Sequence, residues 1–178
     1  MYNAAFYCEQ RCVVSTTELP SKTKLADCVL CQQMGGRLVY ENSFYRVIAV
    51  DANGPDAHFP AFYRLIWNQH VVEMTDLPYA QQLMAWQAIS IIESCMRKVL
   101  QAHKMNLASF GNMVAHLHWH FIARFEWDSH FPNPVWGQAL REVPVQQLQE
   151  VQSLFPQLDA LLQQKLTELR PFAHIDLP

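Results

Sequence analysis

The chain has 178 residues, 51% of them apolar, with 13 basic and 16 acidic side chains and a formal net charge of -3. That size suits one domain with a real core, and without a lysine or arginine block the charge excludes an electrostatic footprint for nucleic acid or an anionic membrane. No run approaches the roughly 20 apolar residues that span a bilayer, residues 1–9 lack a secretory signal's basic start and apolar centre, and Cys8, Cys12, Cys28, Cys31 and Cys95 are too scattered for a disulfide framework. The expectation is a cytoplasmic protein with reduced or metal-bound thiols, whose partners are small ligands.

Residues 1–24 show no periodicity and contain Ser15-Thr16-Thr17 and Pro20-Ser21-Lys22, which reads as an irregular N-terminal arm. A domain over residues 25–137 follows. Leu38-Val39-Tyr40 and the run from Phe44 to Val50 are rich in β-branched and aromatic residues, and Glu41-Asn42-Ser43 between them makes a hairpin the simplest connection. Asp51 to Asp56 is a turn-forming cluster, and Phe62 to Trp67 supplies another strand. A long helix comes next, capped by Thr75 or Asp76, with Pro78 in its first turn. Its apolar stripe runs through Leu83, Met84, Ile91, Ile92, Cys95, Met96, Val99 and Leu100 to about His103.

Met105 to Phe110 then predicts a short strand, Gly111-Asn112 a turn, and Val114 to Phe125 a second strand. The prolines of Phe131-Pro132-Asn133-Pro134-Val135-Trp136-Gly137 close the regular part of the domain. Over residues 138–178 the stripe Val145, Leu148, Val151, Leu154, Leu158, Leu161, Leu162, Leu166 and Leu169 predicts a helical tail packed on the domain. Phe155-Pro156 breaks it into a kinked helix or two short ones.

The most informative segment is His116-Leu117-His118-Trp119-His120-Phe121-Ile122. Side chains alternate across a strand, so the three imidazoles share one face while Leu117, Trp119 and Phe121 pack on the other. Imidazole titrates near neutrality, so one ring can act as a neutral nucleophile on phosphorus while another handles protons. The middle histidine, His118, has a neighbour on each side and suits the attacking role. The competing readings of the same residues are a metal site and a hydrogen-bonded polar patch in the core.

The segment Gly111-Asn112-Met113-Val114-Ala115-His116-Leu117-His118-Trp119-His120-Phe121-Ile122 resembles the signature of the histidine triad nucleotide hydrolases and transferases. Pro60 to His70, then Met74-Thr75-Asp76-Leu77, is similar to that family's upstream strand and helix start, so the resemblance spans roughly residues 26–125. It implies an α+β fold: an antiparallel sheet of about five strands with a long helix packed on it, in a homodimer. It further implies that His118 attacks the α-phosphate of a nucleotide to give a nucleotidyl-histidine, that His120 binds phosphate and protonates the leaving group, and that His116 orders the site. Asn106 and Asn112 match positions near the phosphate, and Asp51 stands where the family holds ribose hydroxyls. Met113 stands where many members have a small polar residue at a phosphate contact, and Pro60-Ala61-Phe62 where many have proline-glycine-histidine before the upstream strand, so the resemblance leaves substrate choice open.

The segment from Phe125 through Trp136-Gly137 resembles a bacterial branch labelled diadenosine tetraphosphate hydrolase-like. The reaction implied is hydrolysis at the α-phosphate of a nucleoside phosphoramidate or dinucleoside polyphosphate. The alternatives are a nucleotide-binding module with weak chemistry and a nucleotidyl transferase. No cofactor is required for that reaction. Cys28-Val29-Leu30-Cys31 nonetheless has the gap that lets two thiolates reach one structural zinc, with His70 and His116 as the remaining ligands, an arrangement some family members resemble. Two buried reduced cysteines are the alternative. His58, His103, His130 and His174 are assigned to surface or satisfied polar positions, Arg64 and Arg124 to solvated strand ends, and Trp67, Trp86 and Trp119 to the core.

Overall fold

The computed structural model describes residues 24–50 and 59–169. The N-terminal arm with Cys8 and Cys12, and Asp51, His58 and His174, lie outside the described residues.

A short helix α1 (Val29–Gln32) precedes a hairpin of β1 (Arg37–Glu41) and β2 (Tyr45–Ala49). The Asn42 side-chain oxygen accepts from the Phe44 and Tyr45 N–H groups at 2.9 Å each, the local bonding that lets Asn initiate turns. β3 (Ala61–Trp67) follows, then a 3₁₀ turn (Met74–Asp76), α2 (Tyr79–Leu100), β4 (Lys104–Ala108), β5 (His118–Arg124), α3 (Val145–Ser153) and α4 (Phe155–Glu168). The five strands form one sheet in the order β1-β2-β3-β5-β4, every pair antiparallel. This is the α+β architecture expected from the sequence.

Three boundaries differ from the sequence reading. The cap of α2 is Pro78, and Asp76 closes the preceding 3₁₀ turn instead, its carboxylate accepting from the Glu73 N–H at 3.2 Å. The helix stops at Leu100 because Gln101 turns left-handed, φ 50°, while its N–H bonds back to the Arg97 carbonyl. β5 begins at His118, so His116 lies in the approach to the strand. There the chain is held by the Leu117 N–H to the Val71 carbonyl at 2.7 Å and the Trp67 N–H to the Leu117 carbonyl at 3.1 Å. Gly111, at φ 68°, supplies the left-handed residue between β4 and β5.

Alternation divides the sheet into two faces. Tyr45, Val47, Tyr63, Leu65, Trp67, Phe121 and Ala123 point to one side, where they join Ala88, Ile92 and Met96 of α2 and Leu158, Leu162 and Leu166 of α4 in the main core. Burying each of those three leucines contributes about 1.5–3 kcal/mol, enough to hold the tail on the sheet. Polar contacts fix its register: the Tyr63 hydroxyl donates to Asp159 at 3.0 Å, and the Gln163 amide to the Val39 carbonyl at 2.9 Å. Phe155 begins a new helix after α3 ends at Ser153, so the tail is two helices.

The opposite face carries two smaller apolar clusters. Cys28, Leu30 and Cys31 cover Ile48 and Ile66 at one end, and Phe59 and Val135 cover Phe62 and Ile122 at the other. His118 and His120 emerge between them. No helix among the described residues is long and apolar enough to cross a membrane.

Candidate active site

His118 pairs in register with Ile66 of β3, and His120 with Arg64 on one side and Ala108 of β4 on the other. Both rings sit on the face away from the main core, 4.8 Å apart between centroids, and His116, His118 and His120 are all buried.

The hydrogen bonds decide which nitrogen of each ring carries the proton. His116 Nε2 lies 2.7 Å from the Trp67 carbonyl, which only accepts, so the proton is on Nε2 and the Nδ1 lone pair is bare. His118 Nδ1 lies 2.6 Å from the His116 carbonyl, so Nδ1 donates and the Nε2 lone pair is left for chemistry. In His120 the order reverses, because the Arg64 Nε–H donates to Nδ1 at 3.4 Å and the proton must sit on Nε2. The bare Nε2 of His118 and the proton-bearing Nε2 of His120 are thus set by the backbone and by one arginine.

Electrostatics keep both rings neutral. Burial, and then Arg64, lower the proton affinity of His118. Burial, the neighbouring His118 and Arg64 together push His120 down to about 3. Arg64, read from the sequence as a solvated strand end, instead stands on the triad face beside His120, its guanidinium 5.1 Å from the Phe62 ring centre. The signal was its even spacing from Phe62 and Ile66, which places all three on one face.

The other arginine also departs from its sequence reading. Arg124 is buried: it donates to Asp128 at 2.8 and 3.1 Å, to the Asn133 carbonyl at 2.8 Å and to the Asn106 side-chain oxygen at 2.6 Å. Burial alone would raise the Asp128 carboxyl, but Arg124 and the N–H groups of Phe125, His130 and Phe131 hold it below its ordinary value. This network ties the segment after β5 to the sheet. Asp128→Ala would strand a buried guanidinium and three backbone donors, so urea unfolding is expected to show a loss of about 3–5 kcal/mol. A loss below about 1 kcal/mol would mean that the segment is held by its apolar contacts instead.

Arg124 also orients Asn106, since occupying the side-chain oxygen commits the amide –NH₂ as the donor left for a ligand. Asn112 is exposed, and Met113 is 96% exposed, its side chain standing in solvent rather than against the histidines. His130 is buried and bonded to the Ser129 hydroxyl at 2.7 Å, and exposed His103 lies 3.3 Å from Glu126. Of the three tryptophans expected in the core, Trp67 is fully buried and Trp119 partly so, but Trp86 is exposed on α2, its ring edge-to-face with Trp119 at 5.2 Å.

Two aromatic residues that the sequence reading did not place complete the site. Trp136 and Phe110, each 53% exposed, pack edge-to-face at 4.8 Å, with centroids 5.4 and 6.2 Å from the His120 ring. Their signal in the sequence was position alone, each next to a turn glycine.

Cys28, Cys31, His70 and His116 converge on the far side of His116. Cys28 Sγ lies 3.3 Å and Cys31 Sγ 3.5 Å from His116 Nδ1, Cys31 Sγ lies 3.4 Å from His70 Nδ1, and all four donor atoms fall within 4.8 Å of one another. Zinc bonds of about 2.3 Å to sulfur and 2.0–2.1 Å to nitrogen give tetrahedral S···N edges of about 3.6 Å, so the donor set fits that ion. The Trp67 carbonyl on His116 Nε2–H leaves Nδ1 as the nitrogen that a zinc ion would meet.

The fold and the three in-line histidines together define a histidine triad protein, and the chain belongs to the HIT domain family, which matches residues 33–127. Among solved structures it is similar to a histidine triad protein from Marinobacter aquaeolei VT8, with 27% identity over 77% of this chain and 93% of that one, TM-score 0.58. A second, from Bradyrhizobium japonicum, shares 26% identity over 70% and 92% of the two chains, TM-score 0.54. One from Sinorhizobium meliloti 1021, 23% identical over 70% and 90% with TM-score 0.54, shares the fold. No curated protein matches the chain.

Proposed function

We propose that this protein hydrolyses a nucleotidyl compound at its α-phosphate, a nucleoside phosphoramidate or a dinucleoside polyphosphate, through a nucleotidyl-His118 intermediate. The observation that carries the reading is the opposed tautomers of adjacent rings: a bare Nε2 on His118 and an Nε2–H on His120.

His118 Nε2 forms the bond to phosphorus, and the bond from phosphorus to the leaving group breaks with its electron pair. Positive charge then develops on the His118 ring, where the Nδ1–H bond to the His116 carbonyl stabilises it. His120 hydrogen-bonds the departing atom. A polyphosphate leaves as an anion; an amine takes the Nε2 proton of a His120 that has gained a second proton at Nδ1, where bound phosphate draws Arg64 away and offsets the charge of His118. Water then attacks the same phosphorus and displaces His118 as a neutral ring; the proton of the water passes to the His120 Nε2 that an amine has left bare, or to solvent after a polyphosphate has left. Asn106 Nδ2–H, the exposed Asn112 and Arg64 are assigned as donors to this phosphoryl group, and Asp51 to the ribose. The hydrolase-like bacterial branch fits this chemistry, and a homodimer belongs to the same reading, with exposed Trp86 on α2 offering an apolar face.

Zinc held by Cys28, Cys31, His70 and His116 is part of the proposal as a structural ion, cross-linking α1, the end of β3 and the approach to β5. It leaves His118 and His120 free. The test is AMP release from adenosine phosphoramidate and diadenosine tetraphosphate, resolved by chromatography. Turnover of either supports hydrolysis, and binding of AMP without turnover of either returns the reading to a binding module. AMP transfer onto an added phosphate acceptor in preference to water would make it a transferase.

A further inference from the structure

We infer that Trp136 and Phe110 form a leaving-group subsite, which makes Trp136 a specificity-determining residue for substrates whose leaving group carries a planar aromatic body close to phosphorus. The inference rests on the α-phosphate reading above and narrows its substrate class.

Its ground is where these rings stand and how they are held. His120 handles the departing atom, and its ring lies 5.4 Å from Trp136, 6.2 Å from Phe110 and 5.4 Å from Phe62 between centroids. Phe62 is buried, whereas Trp136 and Phe110 are half exposed. Two large apolar rings left in water beside a reacting group normally signal a contact surface.

Trp136 is also fixed in place. Val135 beside it is buried among Phe59, Phe62 and Ile122, the Gly137 N–H closes a turn on the Pro134 carbonyl at 2.9 Å, and Arg124 holds the Asn133 carbonyl. Phe110 arrives from the other direction, two residues past the end of β4 and just before the Gly111 turn, and meets Trp136 at an interplanar angle of 84°. An exposed tryptophan anchored by a buried neighbour and a buried arginine is preorganised, so a ligand ring that packs on it forfeits little entropy of the protein.

Distance restricts the ligand. An atom hydrogen-bonded to His120 Nε2 sits about 3 Å from that nitrogen, and Trp136 is centred only 5.4 Å from the His120 ring. A ring stacked on the tryptophan can therefore follow the departing atom by as few as one to three bonds. An aromatic amine or an arylmethylamine reaches it with almost no tether to order. The base of a second nucleotide beyond several phosphates must fold a long flexible tether back on itself to do so, at a cost in entropy.

The test compares two substrates with the same AMP moiety, adenosine 5′-phosphoramidate and adenosine 5′-(N-benzyl)phosphoramidate, in the full chain and in Trp136→Ala and Trp136→Phe. The wild type is expected to favour the benzyl compound in kcat/KM. Trp136→Ala should cut that preference about tenfold, the upper range for an aromatic pair, and Trp136→Phe should restore most of it. A general loss of fold would lower both rates and leave their ratio intact. A ratio unchanged in Trp136→Ala overturns this inference while leaving the hydrolase reading standing. Turnover of neither substrate by the wild type, with diadenosine tetraphosphate also inert, overturns both.

Discussion

His118→Ala is expected to lower kcat for AMP release by about 10⁴-fold or more, the largest single effect in the protein, because it removes the atom proposed to bond to phosphorus. The ring is buried and makes one strong bond, to the His116 carbonyl, so the variant should still fold and still bind AMP through the donors around the phosphoryl group. That combination separates loss of chemistry from loss of structure. A rapid quench in alkaline denaturant gives the complementary readout, since an N-linked nucleotide is stable in base and labile in acid: the wild type incubated with a labelled adenylyl substrate should carry label that survives base and leaves in acid. Residual turnover above about one hundredth of wild type, or wild-type protein without such label, would assign the attack to water or to another group.

The second large effect concerns stability. Replacing Cys28 and Cys31 by serine is expected to remove zinc from the purified protein, about one ion per chain by mass spectrometry, and to lower the melting temperature by about 6–20 °C. Apparent zinc-binding energies in small domains reach about 10–16 kcal/mol. Here the sheet and α2 already supply a core, so only a part of that, on the order of 3–5 kcal/mol, should appear as lost stability, at about 2–4 °C per kcal/mol for a chain of this size. Activity should fall as well, because the site holds His116, whose carbonyl fixes the His118 tautomer. Wild-type protein grown with zinc but purified free of it, with a melting temperature indifferent to added zinc or chelator, would leave the four side chains as a buried thiol–imidazole cluster.

The two effects are physically linked. One residue, His116, offers its side chain to the cysteines and its carbonyl to His118, so the same backbone segment serves both the proposed ion-binding cluster and the proposed reacting ring. Trp67 completes the link by accepting from His116 Nε2–H at the end of β3. Disturbing that carbonyl should therefore affect metal content and turnover together.

What the sequence by itself determined was local. Strict alternation of histidine with Leu117, Trp119 and Phe121 can be buried in only one way, so the face that carries His118 and His120 was legible without coordinates. The long stripe of α2 and the leucine stripe of the tail were legible for the same reason: each buries one side, and the period states which. Tertiary structure decided everything that depends on which elements become neighbours. Because β3 lies beside β5, Arg64 falls opposite His120 and the end of β3 brings His70 to His116, 46 positions later in the chain. The chain reversal after β5 buries Arg124 against Asp128 and delivers Trp136 to the open side of His120. No local periodicity encodes those meetings, since they follow from strand order and loop path, and the same charged or aromatic residue is solvated or functional according to what the fold sets against it.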